Sequence, residues 1–268
     1  MNARGMVRRA GLTLGVCLLA VSAHAQATAT QKPAQQPFEP KSGQAGKDVV
    51  WVPTSQALVE KMLDMAKVTP QDFVMDLGSG DGRTVITAAK RGATAMGVEY
   101  NPDMVELSKA NAAKENVSAK ATFVKADLYE TDFSKATVIT MFLLPEINVK
   151  LRPKILNLKP GTRVVSNSFT MEDWEADQTE TISGECTSWC TALLWIVPAK
   201  VEGTWTTPQG DLKLTQNYQK ITGTLGAAKI EGKLNGDEIT FTAGKTTYTG
   251  KVNGTTIQGT APGAWTAT

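Results

Sequence analysis

The 268-residue chain has one histidine, His24, and none beyond it. Once the leader that contains His24 is removed, no imidazole remains for a Ser-His-Asp or Cys-His mechanism. Any metal site would then rest on carboxylates or on two thiols, and none is expected. Cysteine is nearly as scarce, with Cys17 in the leader and Cys186 and Cys190 in Gly184-Glu185-Cys186-Thr187-Ser188-Trp189-Cys190. In an oxidising compartment this pair is expected to form a disulfide closing a tight turn. A redox-active pair is the weaker alternative, because the spacing is C-x3-C and not C-x-x-C. Long apolar runs are missing too: the longest near the N-terminus, residues 11–20, is too short to span a bilayer as a stable helix.

What the N-terminus does contain is Arg4, Arg8 and Arg9, then that apolar run, then Ala23-His24-Ala25. This is the pattern of a signal peptide, residues 1–25, and implies export to the periplasm or outside the cell. Adjacent Arg8-Arg9 permits a twin-arginine route, although the residues after it match that signal poorly. Cleavage removes three of the 28 basic residues and none of the 26 acidic ones, for a net charge near −1. No basic excess is left for nucleic acid or an anionic membrane, and no stable membrane insertion is expected after cleavage. Residues 26–48, rich in Gln, Ala, Pro, Lys and Gly without apolar period, are expected to be a flexible linker.

The chain is organised around Val74-Met75-Asp76-Leu77-Gly78-Ser79-Gly80-Asp81-Gly82-Arg83, an apolar strand running into a glycine-rich turn and then a helix. Such a turn lets backbone approach a ligand and places a helix N-terminus beside it. Apolar strands and helix-spaced segments then alternate to about residue 199, which implies a parallel α/β sheet with flanking helices. Asn101-Pro102 reads as an N-cap followed by a first-turn proline. From about residue 200 the texture turns to Thr, Gly, Lys and Asn, and an eight-residue pattern ending in Asn235-Gly236 recurs eighteen residues later at Asn253-Gly254. Asn-Gly between alternating segments is a hairpin signal, so residues 200–268 are expected to form a small antiparallel β domain closed by Trp205 and Trp265.

A dinucleotide fingerprint is G-x-G-x-x-G, whereas Gly78, Gly80 and Gly82 are spaced G-x-G-x-G with Arg83 at the third glycine's place. The turn instead resembles the first motif of class I S-adenosylmethionine (SAM) dependent methyltransferases. Such a site asks for an acid near the turn, a second for the ribose at the end of the second strand, and an acceptor for adenine at the end of the third. Asp76, Glu99 and Asp127 stand at those points, with Gly78, Gly80, Gly82, Tyr100 and Leu128 as further cofactor neighbours. Any one of the three acids alone would be read as a solvated strand end.

Trp51-Val52-Pro53-Thr54, the glycine turn, Gly97-Val98-Glu99-Tyr100-Asn101-Pro102, Ala126-Asp127-Leu128 and Phe142-Leu143-Leu144-Pro145-Glu146 together resemble the protein-lysine methyltransferases that include the ATP synthase c-subunit enzyme. The likeness covers residues 49–174. It implies a Rossmann-like class I methyltransferase domain at 49–199, SAM as cofactor, and transfer to nitrogen on a protein lysine or small amine. Methyl transfer from a sulfonium needs alignment and an unprotonated amine, which desolvation supplies without histidine. No catalytic residue is assigned; Glu146, Asp173 and Trp174 are candidates for contact with the acceptor. The rival expectation is a non-catalytic exported binding module with an adhesive β tail, favoured by the leader, since SAM is made in the cytoplasm.

Overall fold

Ser55 ends an extended stretch and caps helix α1 (Gln56–Met65), its hydroxyl oxygen accepting from the Leu58 amide at 3.3 Å. In the computed structural model, which describes residues 38–268, this helix buries Leu58, Val59, Met62, Leu63 and Met65. The expected signal peptide and the first part of the expected linker, 26–37, lie outside the described residues. Residues 38–48, expected to continue that linker, do not run free. They fold back on themselves, with an Ala45–Val50 bridge and the Gly43 and Trp51 backbones bonded at 2.8 Å.

The alternating pattern resolves into β1 (Phe73–Leu77), α2 (Arg83–Lys90), β2 (Thr94–Glu99), α3 (Pro102–Lys114), β3 (Ala121–Lys125), β4 (Val138–Met141), α4 (Pro145–Ile155), β5 (Arg163–Asn167), β6 (Gln178–Thr181) and β7 (Thr191–Ile196). The sheet order is β3-β2-β1-β4-β5-β7-β6. Strands β1 to β5 pair in parallel, while β7 runs antiparallel to β5 and to β6. Successive residues of each strand face opposite cores: Val74, Val138 and Val165 meet α1, α2 and α3, whereas Met75, Ile139 and Val164 meet α4. Burial on both faces explains why these strands read as continuous apolar runs. Asn101 caps α3 through the Asp103 amide at 2.9 Å, and Pro102 opens the helix as its sequence dictates. Strand β6, on the sheet edge and mostly exposed, carries no apolar alternation and escaped the sequence reading.

Beyond residue 202 come β8 (Gly203–Thr207), β9 (Gly210–Asn217), β10 (Lys220–Leu225), β11 (Ala228–Asn235), β12 (Glu238–Ala243), β13 (Thr246–Asn253), β14 (Thr256–Ala261) and β15 (Trp265–Ala267), paired antiparallel in chain order. Thr206 and Thr268 exchange backbone hydrogen bonds of 2.8 and 3.2 Å, so first and last strands meet and the sheet closes on itself. Closure removes the exposed edges that an open meander would offer to other chains. Its interior is packed with side chains, among them Leu212, Ile221, Ile239, Phe241, Trp205 and Trp265. Trp265 packs against Phe241 and Tyr248.

Both Asn-Gly signals fall at hairpins, where Gly236 and Gly254 open two-residue loops with φ of +62° and +58°. The β9–β10 hairpin puts Tyr218 in the equivalent place at φ +54°, a backbone region unfavourable to a bulky side chain. Contacts across to the first sheet offset that strain. The Tyr218 ring stacks on Trp174 at 5.7 Å, its hydroxyl donates to Asp173 at 2.8 Å, and the neighbouring Gln219 amide donates to the Glu175 carbonyl at 2.8 Å.

Candidate active site

The C-terminal ends of β1, β2 and β3 place Asp76, Glu99 and Asp127 along one edge of a cleft of about 1070 Å³ counted to its open mouth. This edge lies at the point where strand order reverses between β1 and β4, the usual ligand position in an open α/β sheet. Gly78, Ser79, Gly80, Tyr100, Leu128, Phe142 and Leu143 also line the cleft. The chain fold-back of residues 44–54 supplies the opposite wall.

Asp76 is buried, and the in-register β1–β4 pairing sets it beside Thr140, whose hydroxyl donates to it at 2.6 Å. Burial pushes its carboxyl up to about 7, and the nearby charges of Asp81 and Glu99 push the same way against the Thr140 and Thr84 hydroxyls. Among the described residues no lysine or arginine pairs with it. A desolvated acid with like-charged neighbours and no basic partner is a seat for a ligand's cation. Glu99 accepts from the Gly80 amide through one oxygen and from the Asn101 amide through the other, both at 2.9 Å. Its carboxylate is thus locked between the turn and the start of α3, with lone pairs left to accept two hydroxyls.

The turn itself is tethered by side chains that the sequence reading passed over. Ser108 and Asn111 on α3 donate to the Gly80 and Asp81 carbonyls at 2.8 and 3.0 Å. Ser108 lies one helical turn from each of the buried Met104 and Ala112, so a polar residue on an apolar face was its only signal. Arg83, which spoils the dinucleotide spacing, forks onto Asp81 at 2.6 Å and reaches the Thr54 carbonyl at 2.7 Å, joining the turn to the opposite wall. Gly80 has φ +53°, and a Cβ there would stand 2.5 Å from the Trp51 indole nitrogen. Gly82 does not line the cleft; it makes room behind the turn, where a Cβ would meet Phe123 at 2.8 Å and Ser108 at 2.9 Å.

Asp127 is already engaged. One oxygen accepts from the Tyr129 amide at 2.9 Å and the other binds the Lys47 ammonium at 2.7 Å. The Lys47 contact, with the Tyr129 amide, holds the carboxyl below its ordinary range. Lys47 also lies 5.2 Å from the Tyr100 ring and 5.4 Å from that of Tyr129.

The three candidates for acceptor contact stand away from the cleft lining. Glu146 is exposed in the first turn of α4, where an acid suits the helix dipole. Asp173 is held by Arg152 and Tyr218, and Trp174 is fully buried between Trp195 and Tyr218. The last two join the sheets to each other. Sequence proximity to β5 had suggested otherwise, because docking of the β barrel on this loop is not visible in the chain. Cys186 and Cys190 are bridged.

These donors and acceptors fit SAM: Asp76 is a buried carboxyl without a basic partner, open to a cationic group, and Glu99 is set for a diol. Fold and site together define a class I SAM-dependent methyltransferase. The profile of the ANTKMT methyltransferase domain matches residues 76–178. A protein-lysine N-methyltransferase of Saccharolobus islandicus is 48% identical over 129 residues, 47% of this chain and 80% of that protein. The human lysine N-methyltransferase of the ATP synthase c-subunit is 35% identical over 136 residues, half of this chain but only 57% of that enzyme. Among solved structures, an RNA methyltransferase from Salinibacter ruber bound to S-adenosylhomocysteine is 42% identical, with TM-score 0.53 over 56% of this chain and 96% of that one. The chain belongs to the ANTKMT-type methyltransferase family. It is therefore an enzyme that uses SAM, and the non-catalytic module is set aside.

Proposed function

We propose that the enzyme methylates the ε-amine of lysine in a protein. The observation that carries this is the 48% identity over four-fifths of a protein-lysine methyltransferase. When bound, SAM supplies an electrophilic methyl on a positively charged sulfur. The protein's own task is to hold the amine in line and dry. A lysine ammonium entering beside Phe142, Leu143 and Ile147 leaves water, which favours loss of its proton to solvent. With SAM in place, the neutral nitrogen held there would be in line to accept its methyl, S-adenosylhomocysteine leaving as the neutral thioether. No protein base is required, which accords with a chain lacking histidine after residue 24.

The experiment is a competition. Carboxymethylated ribonuclease A and total bacterial RNA are offered together with methyl-labelled SAM, and the products are hydrolysed and separated. Label in methylated lysine is expected. A second reading, transfer to RNA, is favoured by the 42% identity to the Salinibacter protein, and label confined to nucleotides would install it in place of the first. The net charge near −1 after leader removal opposes that reading.

We also propose that the enzyme works outside the cytoplasm. Support comes from the leader's composition and from the bridged cysteines, which are rare in reducing compartments. Export in the folded state with cofactor bound would meet the lack of SAM there. Fractionation of cells expressing the tagged chain tests this: recovery of uncleaved protein only in the cytoplasm would refute it.

A further inference from the structure

Five residues after β6, the chain makes a small loop closed by the Cys186–Cys190 bridge, and Trp189 stands at its tip, 47% exposed. Exposure of so large an apolar side chain is uncommon. Its backbone is also unusual, with φ of +58°, a region that bulky residues avoid unless surrounding structure enforces it. The enforcing structure is the bridge, which pins the residues on both sides of the tip.

The Trp189 ring does not point into empty solvent. It lies 5.0 Å from the ring of Phe169 and 6.1 Å from that of Phe142, while those two stack at 5.7 Å. Phe142 lines the SAM cleft at the end of β4. Phe169 follows Ser168, a second non-glycine residue at φ +58°, just past β5. Two strained positions on separate elements thus bring two rings onto a third at the cleft's rim. Leu144, 41% exposed, directly follows Phe142 and Leu143, and Val50 is exposed in the cleft's facing wall. Of the three rings only Phe142 lines the cleft; Phe169 and Trp189 stand outside its lining, away from the acids at the ends of β1, β2 and β3.

We propose that Trp189, held by the Cys186–Cys190 bridge, is a positioning residue for the acceptor: with Phe142 and Phe169 it forms the aromatic wall along which a protein lysine reaches the methyl group. The proposal rests on the lysine reading above. Aromatic faces attract an ammonium and pack its methylene stem, and they exclude water as the amine loses its proton. Trp189, outside the cleft lining, acts on acceptor binding and leaves cofactor binding alone.

Kinetics with carboxymethylated ribonuclease A as acceptor, together with calorimetry of S-adenosylhomocysteine binding, test this on the full chain. Trp189→Ala is expected to raise KM for the acceptor about tenfold, with kcat within about twofold and unchanged affinity for S-adenosylhomocysteine. Trp189→Phe restores most of the loss. Cys186→Ser/Cys190→Ser, which leaves Trp189 in place without its anchor, raises KM about threefold. An acceptor KM unaltered in Trp189→Ala, or a parallel loss of S-adenosylhomocysteine affinity from general misfolding, overturns the assignment while leaving lysine methylation intact. If the parent enzyme transfers no methyl to lysine, the lysine reading and this inference fall together.

Discussion

Lys47 reaches across the cleft mouth from the chain's fold-back to bind Asp127 at the end of β3, Nζ to carboxylate 2.7 Å. Adenine's amino group, expected to use Asp127, has to displace this ammonium or share the carboxylate with it. The pair is about one-third exposed on each side, so it is a weak latch that salt screens. Lys47→Met, which keeps the stem and removes the charge, should tighten S-adenosylhomocysteine about threefold at low salt, and less at about 0.5 M salt. Calorimetry decides: weaker binding in the variant would mean that Lys47 covers the adenine and does not compete with it.

Asp76 gives a pH signature with a definite sign. Its folded carboxyl titrates at about 7 against an ordinary 3.8, so between these values the folded protein binds more protons than the unfolded one. Stability therefore falls through this window as pH rises. A ligand bringing an ammonium to Asp76 favours the ionised form, so affinity for S-adenosylhomocysteine should rise about tenfold from about pH 6 to about pH 8 with proton release on binding. Asp76→Asn should flatten that rise. Pairing calorimetry in two buffers of different ionisation heat measures the proton; zero release near pH 7 contradicts the assignment.

Glu99 both lines the cleft and holds the turn. Glu99→Ala should weaken S-adenosylhomocysteine by at least about tenfold through loss of two charge-assisted hydrogen bonds. Because the same carboxylate accepts from Gly80 and Asn101, the alanine variant should also lose thermal stability, whereas Glu99→Gln keeps one acceptor oxygen and should lose less of it. An unchanged affinity in both variants would remove Glu99 from the ribose site.

Tyr218 joins the β barrel to the first sheet in spite of a left-handed backbone. Tyr218→Ala loses the Trp174 stack and the Asp173 hydrogen bond but keeps the strain; Tyr218→Gly loses the contacts and relieves it. The glycine variant should be more stable than the alanine variant by about 1 kcal/mol, with both below the parent. Equilibrium denaturation would refute the account if alanine proved the milder change.

The parallel α/β order was legible because burial on both faces writes continuous apolar strands, as at Val74 and Met75, and because Asn101 caps a helix by local chemistry that needs no tertiary context. Asp76, Glu99 and Asp127 were legible for a related reason: a strand's end is where a buried backbone meets the ligand edge. The Asn-Gly hairpins were visible since a two-residue turn is set by its own φ angles.

Tertiary structure alone decided the rest. That Thr206 and Thr268 close a barrel depends on accumulated strand twist and register over eight strands, which no short pattern encodes. That Asp173 and Trp174 hold the two sheets together, away from the cleft lining, depends on where the β9–β10 hairpin lands. Lys47, in a segment read as free linker, meets Asp127 eighty residues away, and Trp189 meets Phe142 across two strands. Such pairings arise from chain path in three dimensions, so residue type and local spacing determined which acids stand at the ends of β1, β2 and β3, while the fold determined what faces them across the cleft.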